Sequence, residues 1–388
     1  MRKLYETEER AKRAFLVSLT AGKTGGEQAA GVELRRLAET LGLAVAGHET
    51  IRVRDRQPKF GMGSGKAAGL AEKAAELEAD CLVFDWDPSP SQQRNWEDLA
   101  GKPVVDRQEL IIRIFAERAG TREAELQVRL AELSYFLPRL SHKYIDLSRQ
   151  RGGRYGTRGG GETRLETDRR KIEQNIHRLE KELEEVRKQR QVRRRRRKRQ
   201  GLPVCAIVGY TNAGKSSLLN ALTGADVLVE DKLFATLDAA TRRFEPEPGM
   251  VSLLTDTVGF IRRLPHSLIR AFRSTLEEAV LADLLIHVLD ASEPDIENCF
   301  ETTLSVLREL GAEDIPIITV LNKTDRIAAF PSETAGQTAE TEAASPVEAL
   351  LQRFPESVAL SVKNGTGLDE LKKRIAVSLR KSRLSPVQ

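Results

Sequence analysis

The chain has 388 residues, 40% hydrophobic and 31% charged with a net charge of +5, so it can form roughly two to three domains with sizeable cores. No apolar run approaches about 18 residues and the N-terminus lacks a signal-peptide core, which argues against a membrane-spanning protein and favours a cytoplasmic one. Three widely spaced cysteines and five scattered histidines form neither a disulfide framework nor a zinc pattern.

The first part of the chain alternates strand and helix patterns, which predicts an N-terminal α/β domain at residues 1–120. The predicted strands are Ala14–Leu19, Cys81–Asp85 and Pro103–Asp106, and the predicted helices are Glu27–Leu43, Gly65–Glu78 and Glu109–Arg118. The segment Gly61-Met-Gly-Ser-Gly-Lys66 partly matches a phosphate-binding loop. Because Phe60 replaces its first glycine and Ala67 follows the lysine, we do not expect a nucleotide there.

Two helices with apolar seams follow, at residues 121–200. The seam residues recur at spacings of three and four, which is the coiled-coil pattern. In the first helix they are Leu126, Leu130, Leu133, Leu137 and Leu140, and in the second they are Ile172, Ile176, Leu179, Leu183 and Val186. This arrangement predicts an antiparallel helical hairpin, with the glycine-rich residues 152–161 at its tip.

The hairpin is strongly basic. Residues 139–199 carry 22 Lys/Arg against 9 Asp/Glu, a net charge of +13, which indicates a polyanionic partner. At the tip, Arg151, Arg154, Tyr155 and Arg158 suit phosphate binding and base stacking. A solvated flexible connection is the alternative for the tip. A solvated helix end is equally compatible with the seven basic residues 193–199.

A phosphate-binding loop opens the last part of the chain, at Gly209-Tyr-Thr-Asn-Ala-Gly-Lys-Ser216. A buried strand is predicted before it, at Pro203–Val208, and a helix after it, at Ser216–Leu222. The backbone N–H groups of such a loop face phosphates, Lys215 reaches the β- and γ-phosphates, and Ser216 binds Mg²⁺. With both flanking elements present, we prefer this interpretation to a chance match in a glycine-rich turn.

Two segments with the features of nucleotide-sensing switches follow the loop. Phe234-Ala-Thr-Leu-Asp238 contains Thr236, which can offer a hydroxyl to Mg²⁺, although Thr241 is a rival. The predicted strand Val251–Asp256 ends in a carboxylate suited to ordering Mg²⁺, rather than in a plain turn residue. Gly259 can turn its N–H toward the γ-phosphate. The next residue, Phe260, cannot orient water as the glutamine of Ras-type GTPases does, which predicts slow hydrolysis in isolation.

The base is specified by Asn322-Lys-Thr-Asp325, directly after the predicted strand Ile315–Leu321. A carboxylate only accepts hydrogen bonds, so Asp325 fits the two N–H donors that guanine presents on one edge. Lys323 can lie over the base, and Asn322 can tie this segment to the phosphate loop. The segment resembles the base-recognition element of the GTPase superfamily, and Ser361-Val-Lys363 is similar to its final element.

We therefore predict a P-loop GTPase domain with a doubly wound, mainly parallel sheet at residues 201–388, with a surface insertion at residues 328–347. Catalysis is assigned to Lys215, Thr236 and Gly259, and Mg²⁺ binding to Ser216, Thr236 and Asp256. The nucleotide-binding residues are predicted to be Gly209, Tyr210, Thr211, Asn212, Ala213, Gly214, Lys215, Ser216, Ser217, Phe234, Ala235, Thr236, Leu237, Asp238, Asp256, Thr257, Val258, Gly259, Asn322, Lys323, Thr324, Asp325, Ser361, Val362 and Lys363.

A family resemblance covers nearly the whole chain. The segment Gly156–Arg170 looks like the signature that joins the two halves of HflX, the ribosome-binding GTPase. Leu126–Leu140 resembles its preceding helix, and residues 234–238 and 256–260 are similar to its switches. This chain departs from the family at Gly160, where proline is usual, and at Ala239-Ala240, where Pro-Thr is usual. Some members carry a further C-terminal domain, for which we expect no counterpart within residues 1–388.

The resemblance implies GTP and GDP binding with Mg²⁺, and an Asn at position 212 is associated with K⁺ in similar GTPases. It further implies docking on the large ribosomal subunit and its rRNA, with splitting of stalled or idle ribosomes under stress. We expect a monomer without a membrane span, although peripheral membrane association is compatible with the sequence. Two alternatives stay open: a ribosome-assembly GTPase, and an RNA-binding scaffold that uses GTP only as a switch.

Overall fold

The computed structural model describes residues 13–20, 26–140, 160–199, 201–227, 229–230, 232–262, 268, 272–327 and 346–384. The chain divides into two compact units, Met1–Glu184 and Glu185–Gln388, with the division inside one long helix. The tip residues Arg151, Arg154, Tyr155 and Arg158 lie outside the described residues, as does most of the predicted insertion. Pro346 and Val347, placed in that insertion, begin a helix instead.

The first unit contains a parallel four-stranded sheet flanked by helices, so the predicted α/β class is confirmed. Its strands are β1 (Arg13–Thr20), β2 (Ala44–Arg52), β3 (Cys81–Phe84) and β4 (Val104–Asp106), and its helices are α1 (Gly26–Thr40), α2 (Ser64–Glu76), α3 (Pro90–Ala100) and α4 (Arg107–Arg118). The strand order is β2-β1-β3-β4. Phe15, Leu82, Phe84 and Trp96 lie in its core.

Two elements of this unit, β2 and α3, were not predicted. Strand β2 lies at the sheet edge and is only partly buried, and Gly47 interrupts its apolar pattern. A Cβ at Gly47 would lie 2.7 Å from Leu77 Cδ1, so a larger residue there would need the end of the Leu77 side chain to move. Helix α3 buries only Trp96 and therefore lacks a helical apolar stripe. Its detectable signals are the capping box of Ser89 and Gln92 and the left-handed Gly101 at its end.

The predicted helical hairpin pairs α5 (Arg122–Phe136) with α6 (Gly160–Arg199). The seam forms one apolar cluster, made of Leu126, Leu130, Leu133, Ile172, Ile176, Leu179 and Leu183. Arg122, at the start of α5, forms an ion pair of 3.2 Å with Glu182, just past the middle of α6, which is compatible with the predicted antiparallel pairing. The Leu137–Arg139 turn that ends the first arm is 3₁₀ in character.

The base of the first arm is attached to the sheet through Asp106, the last residue of β4. Its carboxylate accepts hydrogen bonds from the Tyr135 hydroxyl and from Arg139, both at 2.9 Å. The carboxylate also caps α4 by accepting from the Glu109 N–H at 2.8 Å. Burial raises the pKa of Asp106 to about 7, and Arg139 opposes that shift. This buried polar contact fixes where the chain leaves the sheet toward the tip.

The second unit has a six-stranded sheet. Its strands are β5 (Val204–Gly209), β6 (Ala240–Phe244), β7 (Ser252–Asp256), β8 (Leu284–Asp290), β9 (Ile317–Asn322) and β10 (Val358–Ala359), in the order β10-β9-β8-β5-β7-β6. Among the described strands of this sheet, only β6 pairs in the antiparallel direction, as the prediction of a mainly parallel sheet requires. Its helices are α7 (Lys215–Thr223), α8 (Arg273–Val280), α9 (Ile296–Glu309), α10 (Thr324–Ile327), α11 (Pro346–Arg353) and α12 (Leu368–Leu384).

The topology brings the predicted chemistry to one edge of this sheet. Strands β5, β7, β8 and β9 are parallel neighbours, so their carboxyl ends lie together. They end at Gly209, Asp256, Asp290 and Asn322 respectively. Among the described residues, no helix is both long enough and apolar enough to cross a bilayer.

Candidate functional site

The phosphate-binding loop connects β5 to α7, and two of its glycines are required by geometry. Gly209 and Gly214 have φ angles of 146° and 94°, which L side chains rarely adopt. A Cβ at Gly209 would collide with the Val288 carbonyl, and one at Gly214 with the Asn322 amide. The loop is therefore held tightly between β8 and the base-recognition segment.

Lys215 begins α7 and lines the cavity formed by the loop. Only 6% of the residue is exposed, and its Nζ donates to the Tyr210 carbonyl at 2.8 Å. Burial lowers the pKa of Lys215 to about 8, with Asp256 opposing the shift and Lys323 adding to it. A buried ammonium with few partners is electrostatically suited to phosphate oxygens.

Two hydroxyls and one carboxylate meet next to this lysine. Ser216 Oγ lies 2.5 Å from Asp256 Oδ2 and 2.6 Å from Thr236 Oγ1. Thr241, the rival, instead pairs its hydroxyl with Thr255 at 3.0 Å on the β6–β7 ladder. The structure thus places Thr236, and not Thr241, beside the predicted metal-binding residues.

These residues fit a hard divalent cation. Asp256 is fully buried, and its Oδ1 has no hydrogen-bond partner among the described residues. Burial raises the pKa of Asp256, and Lys215 and the Ser216 hydroxyl oppose the shift. An orphaned buried carboxylate oxygen beside two hydroxyls is the oxygen-rich donor set that Mg²⁺ prefers.

The segment after β7 is joined to the phosphate loop through backbone hydrogen bonds. Phe260 donates to Gly209 O at 3.0 Å, and Thr211 donates to Phe260 O at 2.8 Å. Gly259 lies so close that a Cβ there would be 2.8 Å from both Lys215 Nζ and Thr211 Cα. The Phe260 side chain is 1% exposed and packs into the core. Phe260 thus supplies packing and no polar group for water.

The base-recognition segment is tied to the last predicted element. Asn322 Nδ2 donates to Ala213 O at 2.9 Å, and its Oδ1 accepts from Val362 N at 3.2 Å. Ser361 Oγ donates to Asp325 Oδ1 at 2.6 Å. That hydrogen bond lowers the pKa of Asp325, which keeps its carboxylate ionised and acceptor-only.

The cavity lining separates the predicted residues into two groups. Those that line it are Thr211, Asn212, Gly214, Lys215, Ser216, Ser217, Phe234, Ala235, Thr236 and Gly259. The others lie outside its lining, in supporting positions or at the base-recognition segment: Gly209, Tyr210, Ala213, Leu237, Asp238, Asp256, Thr257, Val258, Asn322, Lys323, Thr324, Asp325, Ser361, Val362 and Lys363. The lining also includes Val229, Glu230 and Lys232, which the sequence analysis missed. Their position just before Phe234, in the predicted first switch, could have indicated that they lie near the nucleotide.

Backbone strain is concentrated at this site. Five non-glycine residues among those described have positive φ, and three of them are Asn212, Phe234 and Lys323. Such conformations cost about 1–3 kcal/mol each and persist where the surrounding structure imposes them. The phosphate loop, the first switch and the base-recognition segment each hold one.

The sequence of this chain is similar to that of known proteins over most of its length. The chain matches the family models described as GTP-binding GTPase N-terminal (residues 28–116), GTP-binding GTPase Middle Region (118–197) and 50S ribosome-binding GTPase (204–323). It is 48% identical over 382 residues to GTPase HflX of Akkermansia muciniphila, covering 96% of this chain and 85% of that protein. It is 43% identical over 387 residues to GTPase HflX of Lacrimispora saccharolytica, covering 99% and 87%.

Among solved structures, the chain aligns with a GTP-binding protein from the hyperthermophilic archaeon Sulfolobus solfataricus in complex with GDP. The identity is 26%, the coverage is 96% of this chain and 100% of that chain, and the TM-score is 0.46. The family assignment rests on the sequence relatives and the family models.

Proposed function

This chain belongs to the HflX family of GTPases, which hydrolyse GTP, and we propose that it acts on the ribosome by binding the large subunit and separating stalled or idle ribosomes under stress. The description of the model matched by residues 204–323, a 50S ribosome-binding GTPase, supports the choice of subunit. The rest of the proposal concerns how this chain's own residues would do it.

The observation that carries the proposal is that one continuous helix belongs to both compact units. Helix α6 has 40 residues, so it is about 60 Å long at 1.5 Å per residue. Its middle part, which holds Ile172, Ile176, Leu179 and Leu183, packs in the apolar seam with α5. Near its other end, Arg187 and Arg190 lie 3.8 Å from Glu277 and Glu278 of α8, within the GTPase unit. A helix that is shared by the two units would offer a route by which nucleotide-dependent changes reach the basic hairpin.

The proposed nucleotide contacts follow from the site. Lys215 would hold the β- and γ-phosphates, Asp325 would read guanine, and Ser216, Thr236 and Asp256 would hold Mg²⁺, which supplies charge neutralisation on the phosphates when bound. Asn212 would provide a K⁺ contact beside the phosphates. Gly259 would donate its N–H toward the γ-phosphate. The catalytic roles of Lys215, Thr236 and Gly259 are part of this proposal.

Hydrolysis is proposed to depend on the ribosome. Phe260 packs into the core and offers no group to orient water, so the isolated chain should turn over slowly. A bound large subunit would complete the site or stabilise its switches. Equal GTP turnover with and without large subunits would contradict this part of the proposal.

The decisive test is sucrose-gradient sedimentation of purified ribosomes with the protein and GTP, a non-hydrolysable analogue or GDP. We expect the triphosphate states to convert intact ribosomes to subunits and GDP to fail. A matched variant replaces residues 151–161 by a short Gly-Ser turn and should keep GTP affinity while losing splitting. Binding to free large subunits without any splitting would instead favour an assembly role. A tip-deleted protein that splits at the wild-type rate would reduce the hairpin to a spacer.

A further inference from the structure

We propose that Asp290 is a positioning residue for guanine-nucleotide binding, because its carboxylate holds Lys323 in place for the base. The inference rests on the base-recognition role proposed above for residues 322–325. It adds a residue from a different strand, which neither the sequence motifs nor the cavity lining includes.

Asp290 and Lys323 are brought together by the sheet. Asp290 ends β8 and pairs in register with Asn322, the last residue of β9. The following N–H, that of Ala291, donates to Asn322 O at 2.8 Å, so the two strand ends leave the sheet side by side. Lys323, the residue after Asn322, therefore lies next to the Asp290 carboxylate.

The carboxylate uses its two oxygens for different partners. Oδ2 lies 2.8 Å from Lys323 Nζ. Oδ1 accepts from the Ser292 N–H at 3.0 Å and from the Ser292 hydroxyl at 2.6 Å. The side chains of Lys323 and Asp290 are only 14% and 17% exposed, so solvent screens this ion pair less than it screens a surface pair. Asp290 is thus fixed from one side and binds the ammonium from the other.

Lys323 is stretched between this carboxylate and the phosphate loop. Its Nζ also donates to Asn212 O at 2.7 Å, and its backbone has a φ of 64°. A lysine side chain loses substantial rotamer freedom when it is ordered. Because Asp290 and Asn212 O together fix the ammonium, the apolar stem is already in one position before the base arrives. This preorganisation should increase affinity for the base-and-ribose half of the nucleotide.

This geometry predicts how the loss of Asp290 changes nucleotide affinity and kcat. Asp290 lies at the base-recognition segment and contacts Lys323, not the groups around Ser216. Its contribution should be the same for GDP, GTP and the transition state, which is uniform binding. Removing it should raise the dissociation constants of both nucleotides by one factor and leave kcat unchanged. The Asp325 contact with Ser361 remains, so the preference for guanine over xanthine should also remain.

The test is a double-mutant cycle. Asp290→Asn keeps an oxygen that can accept from Ser292 but removes the negative charge that faces the Lys323 ammonium. Lys323→Met keeps an apolar side chain of similar length without the ammonium. We expect Asp290→Asn to weaken GDP and GTP binding by the same factor, about tenfold. In the Lys323→Met background, adding Asp290→Asn should change little. The control is Asp283→Asn, at the other end of β8, where the carboxylate accepts from Val204 N; it should bind nucleotides as the wild type does.

Three results would overturn the inference. Wild-type affinity in Asp290→Asn would overturn it directly. An equal loss in the presence and absence of the Lys323 ammonium would show that Asp290 acts only on the fold. Wild-type affinity in Lys323→Met would overturn the proposed base contact together with this inference. If Asp290→Asn does not fold, Ser292→Ala takes its place and should produce a smaller loss of the same kind for both nucleotides.

Discussion

Asn322 donates a hydrogen bond from Nδ2 to the backbone carbonyl of Ala213 at 2.9 Å, although the two residues are 109 positions apart. The same side chain accepts from the Val362 N–H through Oδ1. One buried amide therefore connects the phosphate loop, the base-recognition segment and the final element of the site. This connection holds the residues predicted to bind phosphate and the residues predicted to bind the base next to one another.

The first prediction concerns the base. Asp325→Asn should weaken GTP binding by roughly 10- to 150-fold, because a charge-assisted hydrogen bond is worth about 1.5–3 kcal/mol. The amide should also shift preference toward xanthosine nucleotides, whose edge offers an acceptor. Titration with fluorescent GDP and XDP measures both changes. A wild-type protein that binds ATP as tightly as GTP at this site would show that the base assignment is wrong.

The second prediction concerns Mg²⁺. Asp256→Asn removes a buried carboxylate whose Oδ1 has no partner among the described residues. We expect Mg²⁺-supported hydrolysis to fall by about 10–100-fold. The thermal stability of the nucleotide-free protein should not fall, because burial of this carboxylate is costly and Lys215 and Ser216 offset that cost only in part. Hydrolysis across a Mg²⁺ titration and a melting curve test both parts. An unchanged Mg²⁺ dependence would remove Asp256 from the metal site.

The third prediction concerns the monovalent cation. If Asn212 contacts K⁺ beside the phosphates, GTP hydrolysis should be faster in K⁺ than in Na⁺ at equal ionic strength. Asn212→Gly is the matched variant, because glycine tolerates the φ of 61° at this position and removes only the side chain. Its rates in the two salts should converge. A wild-type rate that is the same in K⁺ and Na⁺ would remove the K⁺ site.

The fourth prediction concerns acid stability. His287 is fully buried in β8, its ring stacks on Phe300, and its two nitrogens have no partner among the described residues. Burial lowers the pKa of His287 to about 3, with Lys215 adding to the shift. Below about pH 6.5 the unfolded chain binds a proton at His287 that the folded chain does not bind. The free energy of unfolding is therefore unaffected by His287 above that pH and decreases as the pH falls below it.

The loss should be about 1.4 kcal/mol per pH unit between about 6.5 and 3. His287→Phe keeps a ring against Phe300 and cannot titrate. Between pH 7.5 and 5 the wild type should therefore lose about 2 kcal/mol more of its free energy of unfolding than the variant does. Denaturant unfolding at the two pH values measures the difference. Parallel losses in the two proteins would show that His287 does not control acid sensitivity.

Sequence alone determined the nucleotide class, the fold class and the helical seam. Each depends on local patterns: glycines and a lysine at fixed spacing between a strand and a helix, a carboxylate two residues after a lysine, and apolar residues every three or four positions. Such patterns can be recognised within short stretches of sequence, because neighbouring residues determine the backbone conformation and the amphipathic faces. The structure gathers the phosphate-loop residues around one cavity, joins the base-recognition segment to them through Asn322, and packs the apolar residues in one cluster.

The tertiary structure decided what depends on residues far apart in the chain. It placed Thr236 beside Ser216 and paired Thr241 with Thr255 on the neighbouring strand. It packed Leu77 and Phe15 against Gly47 in an edge strand, where the sequence around the glycine shows no clear strand pattern. It brought the Asp290 carboxylate into an ion pair with Lys323, because the ends of β8 and β9 are neighbours in the sheet. These outcomes depend on register and packing between separate elements, and a side chain's partner across a sheet leaves no periodic signal in the sequence around it.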